Sequence, residues 1–239
     1  GEMPVATDES LGHAGSLLYG LHGRYPDPLE TAALDQCLTL HAEHGHTAST
    51  FAARVVAGTL SDLLSAVVAA LGALRGPLHG GANQQVVTML REIGRPERVR
   101  PWVQKQLEQK RRILGFGHRV YQVEDPRATV LRQWCLKLGE HVGENWWYEV
   151  SQVLEETVLA ETGLHPNVDF YSASVYHMLG IPTDLFTCVF AAARVVGWTA
   201  HVREQWRQET PIRPRDHYVG PRGLRVTPMA ERASPRGNG

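Results

Sequence analysis

The apolar residues of this chain recur at helical spacing, and no alternating run of useful length interrupts them, so the core has to be built from packed helices. The first clear helix opens at Asp27-Pro28-Leu29-Glu30. There Asp27 can cap, Pro28 suits the first turn and Glu30 can complete a capping box. Ala33, Leu34, Cys37, Leu38 and His41 then follow one face, and the same spacing sets His44 about one turn beyond His41, near the helix's C-terminal end. Residues 48–74 are so rich in Ala, Val and Leu that they are apolar on most sides, as in helices deep inside a larger body. Thr59, Ser61 and Asp62 divide this run into two helices, and Gly76-Pro77 stops the second. Its longest apolar part, residues 60–74, is too short to cross a bilayer and is expected as a buried helix.

Further helices are expected from near Asn83, over residues 96–110 on Val99, Trp102, Val103 and Leu107, and from the Asp125-Pro126 cap to Gly139. Others should cover residues 145–162, the segment from Asp169 to Gly180, and the stretch from Pro182-Thr183-Asp184 to about Gln208. Pro211-Ile212-Arg213-Pro214-Arg215 reads as extended. With no internal repeat and no strand pattern, the expected fold class is all-α.

A chain of 239 residues can hold one large or two small domains. Its 24 Lys and Arg nearly balance 25 Asp and Glu, so no whole-chain field favours nucleic acid or an anionic membrane, and any anion must be met by a local cluster. Cys37, Cys135 and Cys188 form no CxxC pattern, which suits a reducing compartment, and they read as small core residues. Residues 1–10 have neither a basic region nor an apolar run of the secretory kind, so the expected location is cytoplasmic. Residues 228–239, rich in Pro, Gly, Arg and Ser, are expected to be a frayed, disordered tail.

Several segments carry chemistry-bearing residues, each with a plainer reading beside it. His41, His44 and His46 have short spacings that could hold zinc, but they lack the HExxH order and a clear third ligand, so no metal site is expected. His79, followed by Gly80-Gly81, could donate an N–H to a carbonyl oxygen or serve a helix connection. Gly115-Phe116-Gly117-His118-Arg119 follows the basic run Lys110-Arg111-Arg112 and could cradle phosphate, or could be a solvated helix end; it is not a GxGxxG fingerprint. Asp169, beside Phe170 and Tyr171, could be a partly desolvated base or a helix cap. Arg194 lies between Phe190-Ala191-Ala192-Ala193 and Val195-Val196-Gly197-Trp198, where an unpaired guanidinium would be costly, so it wants a carboxylate from the protein or a ligand.

Taken together, these stretches resemble the citrate synthase family, including 2-methylcitrate synthases, over about residues 11–221. The matching motifs are His41-Ala42-Glu43-His44 with Ala48-Ser49-Thr50, Gly76-Pro77-Leu78-His79-Gly80-Gly81-Ala82-Asn83, Gly115-Phe116-Gly117-His118-Arg119-Val120-Tyr121, Asp125-Pro126-Arg127-Ala128, and Pro166-Asn167-Val168-Asp169-Phe170-Tyr171. Gly197-Trp198-Thr199-Ala200-His201 and Arg213-Pro214-Arg215 complete the set.

The resemblance implies condensation of acetyl-CoA with oxaloacetate, with Asp169 as the base on the thioester methyl group, His79 as hydrogen-bond donor to the thioester oxygen, and His118 polarising the ketone. It gives His44, Arg127, Arg194 and Arg213 the oxaloacetate and citrate carboxylates, and implies a homodimer in which Arg213 reaches the neighbouring subunit's site. Arg111, Arg112, Gly115, Phe116, Gly117 and Arg119 are the candidate CoA contacts, and no metal or other cofactor is implied. Alternatives are a 2-methylcitrate synthase using propionyl-CoA, a catalytically silent dimerisation or regulatory module, and a lyase running related chemistry in reverse.

The family's architecture implies a small helical domain at residues 81–185, closing on a large one made of 1–80 and 186–239. Family members usually carry further large-domain helices before the point matching Leu11; without them, apolar faces on residues 60–74 and on the last long helix should be exposed. His46-Thr47 and Gln122 also depart from the family's usual residues, the latter by loss of a lysine that could serve CoA phosphate.

Overall fold

Side-chain caps fix five of the ten α-helix starts described in the structure, a computed structural model that describes residues 8–76 and 79–232. The first helix, α1 (Gly12–His22), was not anticipated; it starts with no side-chain cap. Asp27 caps α2 (Pro28–His41): its carboxylate accepts from Leu29 N at 2.7 Å, and Glu30 accepts from Asp27 N at 2.9 Å. Thr47 caps α3 (Ala48–Ala57) and Asp62 caps α4 (Leu63–Leu74), which confirms the division of the long apolar run. After α5 (Ala82–Ile93) and α6 (Val99–Glu108), Asp125 caps α7 (Pro126–Val142). The chain continues through α8 (Trp146–Thr162), α9 (Val168–Met178) and the long α10 (Phe186–Trp206). Among the described residues there is no strand, only an isolated bridge between Phe116 and Pro166, so the all-α expectation holds.

Two helix limits differ from expectation. α7 runs through Gly139 and ends at Gly143, whose φ of 73° closes the helix. Gly139 is a packing residue: a Cβ there would lie 3.1 Å from Asn145 Oδ1. α2 stops at His41, so His44 lies in the following bend rather than one helical turn on.

Two apolar cores share α10. The larger gathers α1, α2 and α5–α9 around Leu34, Leu90, Leu131, Trp147 and Phe170, and takes Phe186 and Val189 from the start of α10. The smaller lies between α3, α4 and α10 and holds Ala53, Ala57, Ala66, Ala70, Trp198 and Val202. Alanines at these contacts let the helix axes approach closely. By length and composition the stretch through α10 could cross a membrane; here it packs against α2, α3 and α4.

The expectation that residues 60–74 are buried is corrected: Leu64 is 71% exposed and Val68 58%, because only one side of α4 meets α3 and α10. Exposed Phe51, Leu63 and Val196 extend this face, in line with the expectation that apolar surface on residues 60–74 and on the last long helix is exposed. Cys188 is exposed, unlike the buried Cys37 and Cys135. Of the expected tail, residues 229–231 form a short 3-10 turn, and residues 233–239 lie outside the described residues, as do residues 1–7 of the segment read for a secretory signal and Pro77-Leu78 of the His79 motif.

Candidate active site

The site lies where α10 crosses the end of α2. Arg194, 2% exposed, donates from Nε to the His41 carbonyl at 2.6 Å and stacks its guanidinium 4.8 Å from the Phe190 ring centre, while Nη1 is buried with no partner. Burial pulls this guanidinium down to about 10, with the nearby Arg127 charge adding to the effect. No carboxylate is within ion-pair distance of Arg194 among the described residues. The uncompensated charge is a preformed place for an anion.

Arg127 enters at the start of α7 because Asp125 caps that helix and then grips the side chain it has placed. Asp125 accepts from Arg127 N at 3.0 Å, Nε at 3.0 Å and Nη2 at 2.7 Å. This bidentate pair locks the guanidinium plane. The Tyr121 ring lies 5.9 Å below it and also meets His44 and His118, with centroid separations of 5.5 and 4.8 Å. The His44 and His118 rings stand edge to face at 4.9 Å, and His44 Nε2 is 3.4 Å from the Tyr121 hydroxyl. Burial, then the Arg127 charge, pushes His44 down to about 4 and lowers His118 also, so both rings are neutral near pH 7.

Backbone donors decide where two ring protons sit. His118 Nδ1 accepts from Val120 N at 3.0 Å and Tyr121 N at 3.2 Å, so the proton of the neutral ring resides on Nε2. His79 Nε2 accepts from Ser49 N at 3.3 Å and from the Ser49 hydroxyl at 2.8 Å, which leaves the proton on Nδ1. The hydroxyl itself accepts from Trp198 Nε1 at 3.2 Å. The close return of the chain at Gly80, just after His79, requires glycine: a Cβ there would sit 2.5 Å from the Leu74 carbonyl oxygen.

Asp169 is not the cap of its helix. Asn167 takes that role, accepting from Asp169 N at 3.1 Å, so the Asp169 carboxylate has no local backbone duty. Burial pushes it up to about 6 against the opposing pull of Arg127 and Arg194. Asn167 also donates from Nδ2 to Gly117 O at 3.0 Å and from its backbone N to Gly115 O at 2.9 Å, which ties the 115–117 segment to the start of α9. Gly115, with φ 81°, crosses Phe170 so closely that a Cβ would lie 2.9 Å from the ring.

Beside this segment is a cavity of about 440 Å³, lined among others by Arg111, Arg112, Phe116, Gly117, His118 and Arg119. Its basic rim and apolar wall suit an anionic ligand with an apolar portion, and His118 connects it to the arginine cluster. Gly115 shapes the segment without lining the cavity. Arg213 is not brought to the cluster: it is exposed on the segment after α10 and donates only to the neighbouring Pro214 carbonyl at 3.1 Å.

His44, His118, Arg127 and Arg194 therefore converge, and the Arg194 charge also acts on His79 and Asp169, which places both within its electrostatic reach. Among the described residues no group of three or more His, Cys, Asp or Glu could hold a metal; His41, one of the histidines considered for zinc, is fully buried with Nδ1 on the Cys37 carbonyl at 2.7 Å. Sequence reasoning did not assign Tyr121 or Ser49 a role. Their signal was position alone, three residues after His118 and inside Ala48-Ser49-Thr50.

Comparison with known proteins gives the family. Residues 1–215 match the family model described as citrate synthase, C-terminal domain. Citrate synthase 2 of Bacillus subtilis is 51% identical over 98% of this chain and 63% of its own length. The 2-methylcitrate synthase of Shewanella oneidensis is 44% identical over 94% of this chain and 60% of its own. The crystal structure of citrate synthase from Thermotoga maritima superposes with a TM-score of 0.86 at 42% identity, covering 98% of this chain and 64% of that one. A ternary complex of citrate synthase from Thermoplasma acidophilum with carboxymethyl coenzyme A and oxaloacetate gives the same score at 38% identity, over 97% of this chain and 62% of that one. The chain thus spans about three fifths of the length of these relatives, and the length of the match together with the identity shows that it belongs to the citrate synthase family.

Proposed function

We propose that this chain condenses acetyl-CoA with oxaloacetate to give citrate and CoA. The observation that carries the reading is the proton inventory: Asp169 is free of capping and pushed up to about 6, while His79 and His118 each have one nitrogen committed as acceptor and the other bearing the proton. A carbon acid is weak, so its base must act while a donor stabilises the developing oxyanion. Asp169 removes the methyl proton, His79 Nδ1–H donates to the thioester oxygen, and His118 Nε2–H polarises the ketone that the enol attacks. Arg127 and Arg194 hold the oxaloacetate carboxylates with His44 beside them. The product thioester is then hydrolysed, which drives the sequence forward.

The cavity beside Gly117 and His118 is assigned to CoA, with Arg111, Arg112 and Arg119 toward its phosphates. The chemistry uses side chains alone, with the CoA thioester as a substrate and no metal or other cofactor. Residues 81–185 form the smaller domain and close on residues 1–80 and 186–239, which excludes water and brings Asp169 toward His79. The working form is a homodimer: the exposure of Arg213 fits a side chain that completes a neighbouring copy's site. Three free cysteines suit a reducing, cytoplasmic setting.

The test is release of free thiol from acetyl-CoA, and separately from propionyl-CoA, with and without oxaloacetate, alongside the oligomeric mass. Oxaloacetate-dependent release from a dimer, faster with acetyl-CoA, is expected. Faster release with propionyl-CoA would make the chain a 2-methylcitrate synthase, and a folded dimer that binds oxaloacetate yet releases no thiol would be a silent module.

A further inference from the structure

In the motif Gly197-Trp198-Thr199-Ala200-His201, Trp198 serves the Ser49 hydroxyl, while Gly197 and His201 enter no part of the inventory above, yet with Arg194 they grip the chain next to His44. Arg194, Gly197 and His201 follow one another at intervals of three and four, so they lie on one side of the helix at successive turns. Each holds one of three consecutive residues. Arg194 Nε donates to the His41 carbonyl at 2.6 Å, Gly197 N to the Ala42 carbonyl at 3.1 Å, and His201 Nε2 lies 2.9 Å from Glu43 Oε1. The middle contact needs glycine, because a Cβ at 197 would be 2.3 Å from the Ala42 oxygen.

The third contact has a fixed direction. Arg54 Nη1, which can only donate, is 3.0 Å from His201 Nδ1, so the ring proton is on Nε2 and points to Glu43. Arg54 is itself held by Glu204 at 2.6 Å. The same Glu43 oxygen accepts from Gly45 N, so one carboxylate ties the residues on both sides of His44. The charged and titratable groups around His201 are Glu43 and His46 from the bend, Arg54 from α3 and Glu204 from α10. Glu43 is about half exposed, so the pair contributes little to global stability, and its effect falls on geometry.

We propose that Glu43 and His201 are positioning residues that set the placement of His44, and so the oxaloacetate site, without touching substrate. The inference rests on the oxaloacetate reading given above. Charge and position predict opposite signs for Glu43→Ala. Glu43 acts on the Arg194 charge, so deleting the carboxylate should tighten an anion by electrostatics alone, whereas loss of positioning should weaken it.

The experiment compares the full chain with Glu43→Ala, His201→Asn and His201→Gln, by calorimetric titration with oxaloacetate and by amide hydrogen exchange without ligand. A glutamine amide can place a donor near Nε2, whereas asparagine reaches only the Nδ1 position facing Arg54. Expected are oxaloacetate affinities weaker by about tenfold or more in Glu43→Ala and His201→Asn, with His201→Gln within about twofold of the parent. Exchange at residues 43–47 should rise in the first two variants and not in the third. Unchanged exchange in Glu43→Ala and His201→Asn, tighter oxaloacetate in Glu43→Ala, or a glutamine variant behaving as the asparagine one would each overturn the proposal. A parent chain that fails to bind oxaloacetate would refute the oxaloacetate reading, while the ligand-free exchange still decides whether the pair orders the bend.

Discussion

Replacing Arg194 with Met should make the empty protein more stable and abolish its affinity for oxaloacetate. The guanidinium is 2% exposed, has no carboxylate partner, and is pulled from its usual range down to about 10 by burial and by Arg127. That displacement corresponds to about 3 kcal/mol of disfavoured charge. Met fills a similar volume and removes the charge, but it also loses the 2.6 Å bond to the His41 carbonyl, a loss of about 1 kcal/mol. The variant should therefore gain about 2 kcal/mol against urea at unchanged m-value. Oxaloacetate at about a hundred times its Kd should stabilise the parent by about 2.7 kcal/mol and leave the variant unmoved. Urea unfolding with and without ligand reads both effects. A variant less stable than the parent, or one that oxaloacetate stabilises equally, would refute the reasoning that Arg194 is kept charged and uncompensated for an anion.

Because Asp169 is raised, its ionised form is lost as pH falls through about 6, so turnover should decline on the acid side with an inflection near that value, and Asp169→Asn should lower kcat about a thousandfold above that pH and lose the inflection. His41 is buried neutral and pushed down to about 4, so its charging favours the unfolded chain; stability should fall between about pH 6.5 and 4, and His41→Phe should flatten that part of a thermal-melting profile. Ser49→Ala removes the hydroxyl between His79 and Trp198 and should reduce kcat about tenfold while the KM for oxaloacetate moves little, a split that steady-state kinetics would show. Gly197→Ala forces a carbon against the Ala42 oxygen and should lower stability by about 2 kcal/mol or more, measured by urea unfolding.

Helix existence was legible in this sequence wherever a cap or proline announced it, as at Asp27-Pro28, Asp62 and Asp125-Pro126. It was hidden where tertiary contacts replaced local signals. α1 has no side-chain cap, Gly139 is small for its contact with Asn145 rather than for ending a helix, and α2 stops at His41 where Arg194 and Gly197 of α10 take its final carbonyls. The same division holds for the site. Arg194 was recognisable because a guanidinium among apolar residues demands an anion. Asp169 read locally as either cap or base, and only the structure shows Asn167 taking the cap. The partners that fix protons, Ser49 for His79 and the 120–121 amides for His118, depend on backbone placement across the fold and leave no mark in spacing.

The central claim is that this chain makes a carbon–carbon bond, and incubation of methyl-labelled [¹³C]acetyl-CoA with oxaloacetate, followed by NMR of the products, tests it most directly. Label appearing in a citrate methylene, with one CoA released per citrate and none formed by Asp169→Asn, is the predicted result. Label appearing only in free acetate, or remaining in acetyl-CoA while the protein is folded and oxaloacetate-bound, would contradict it.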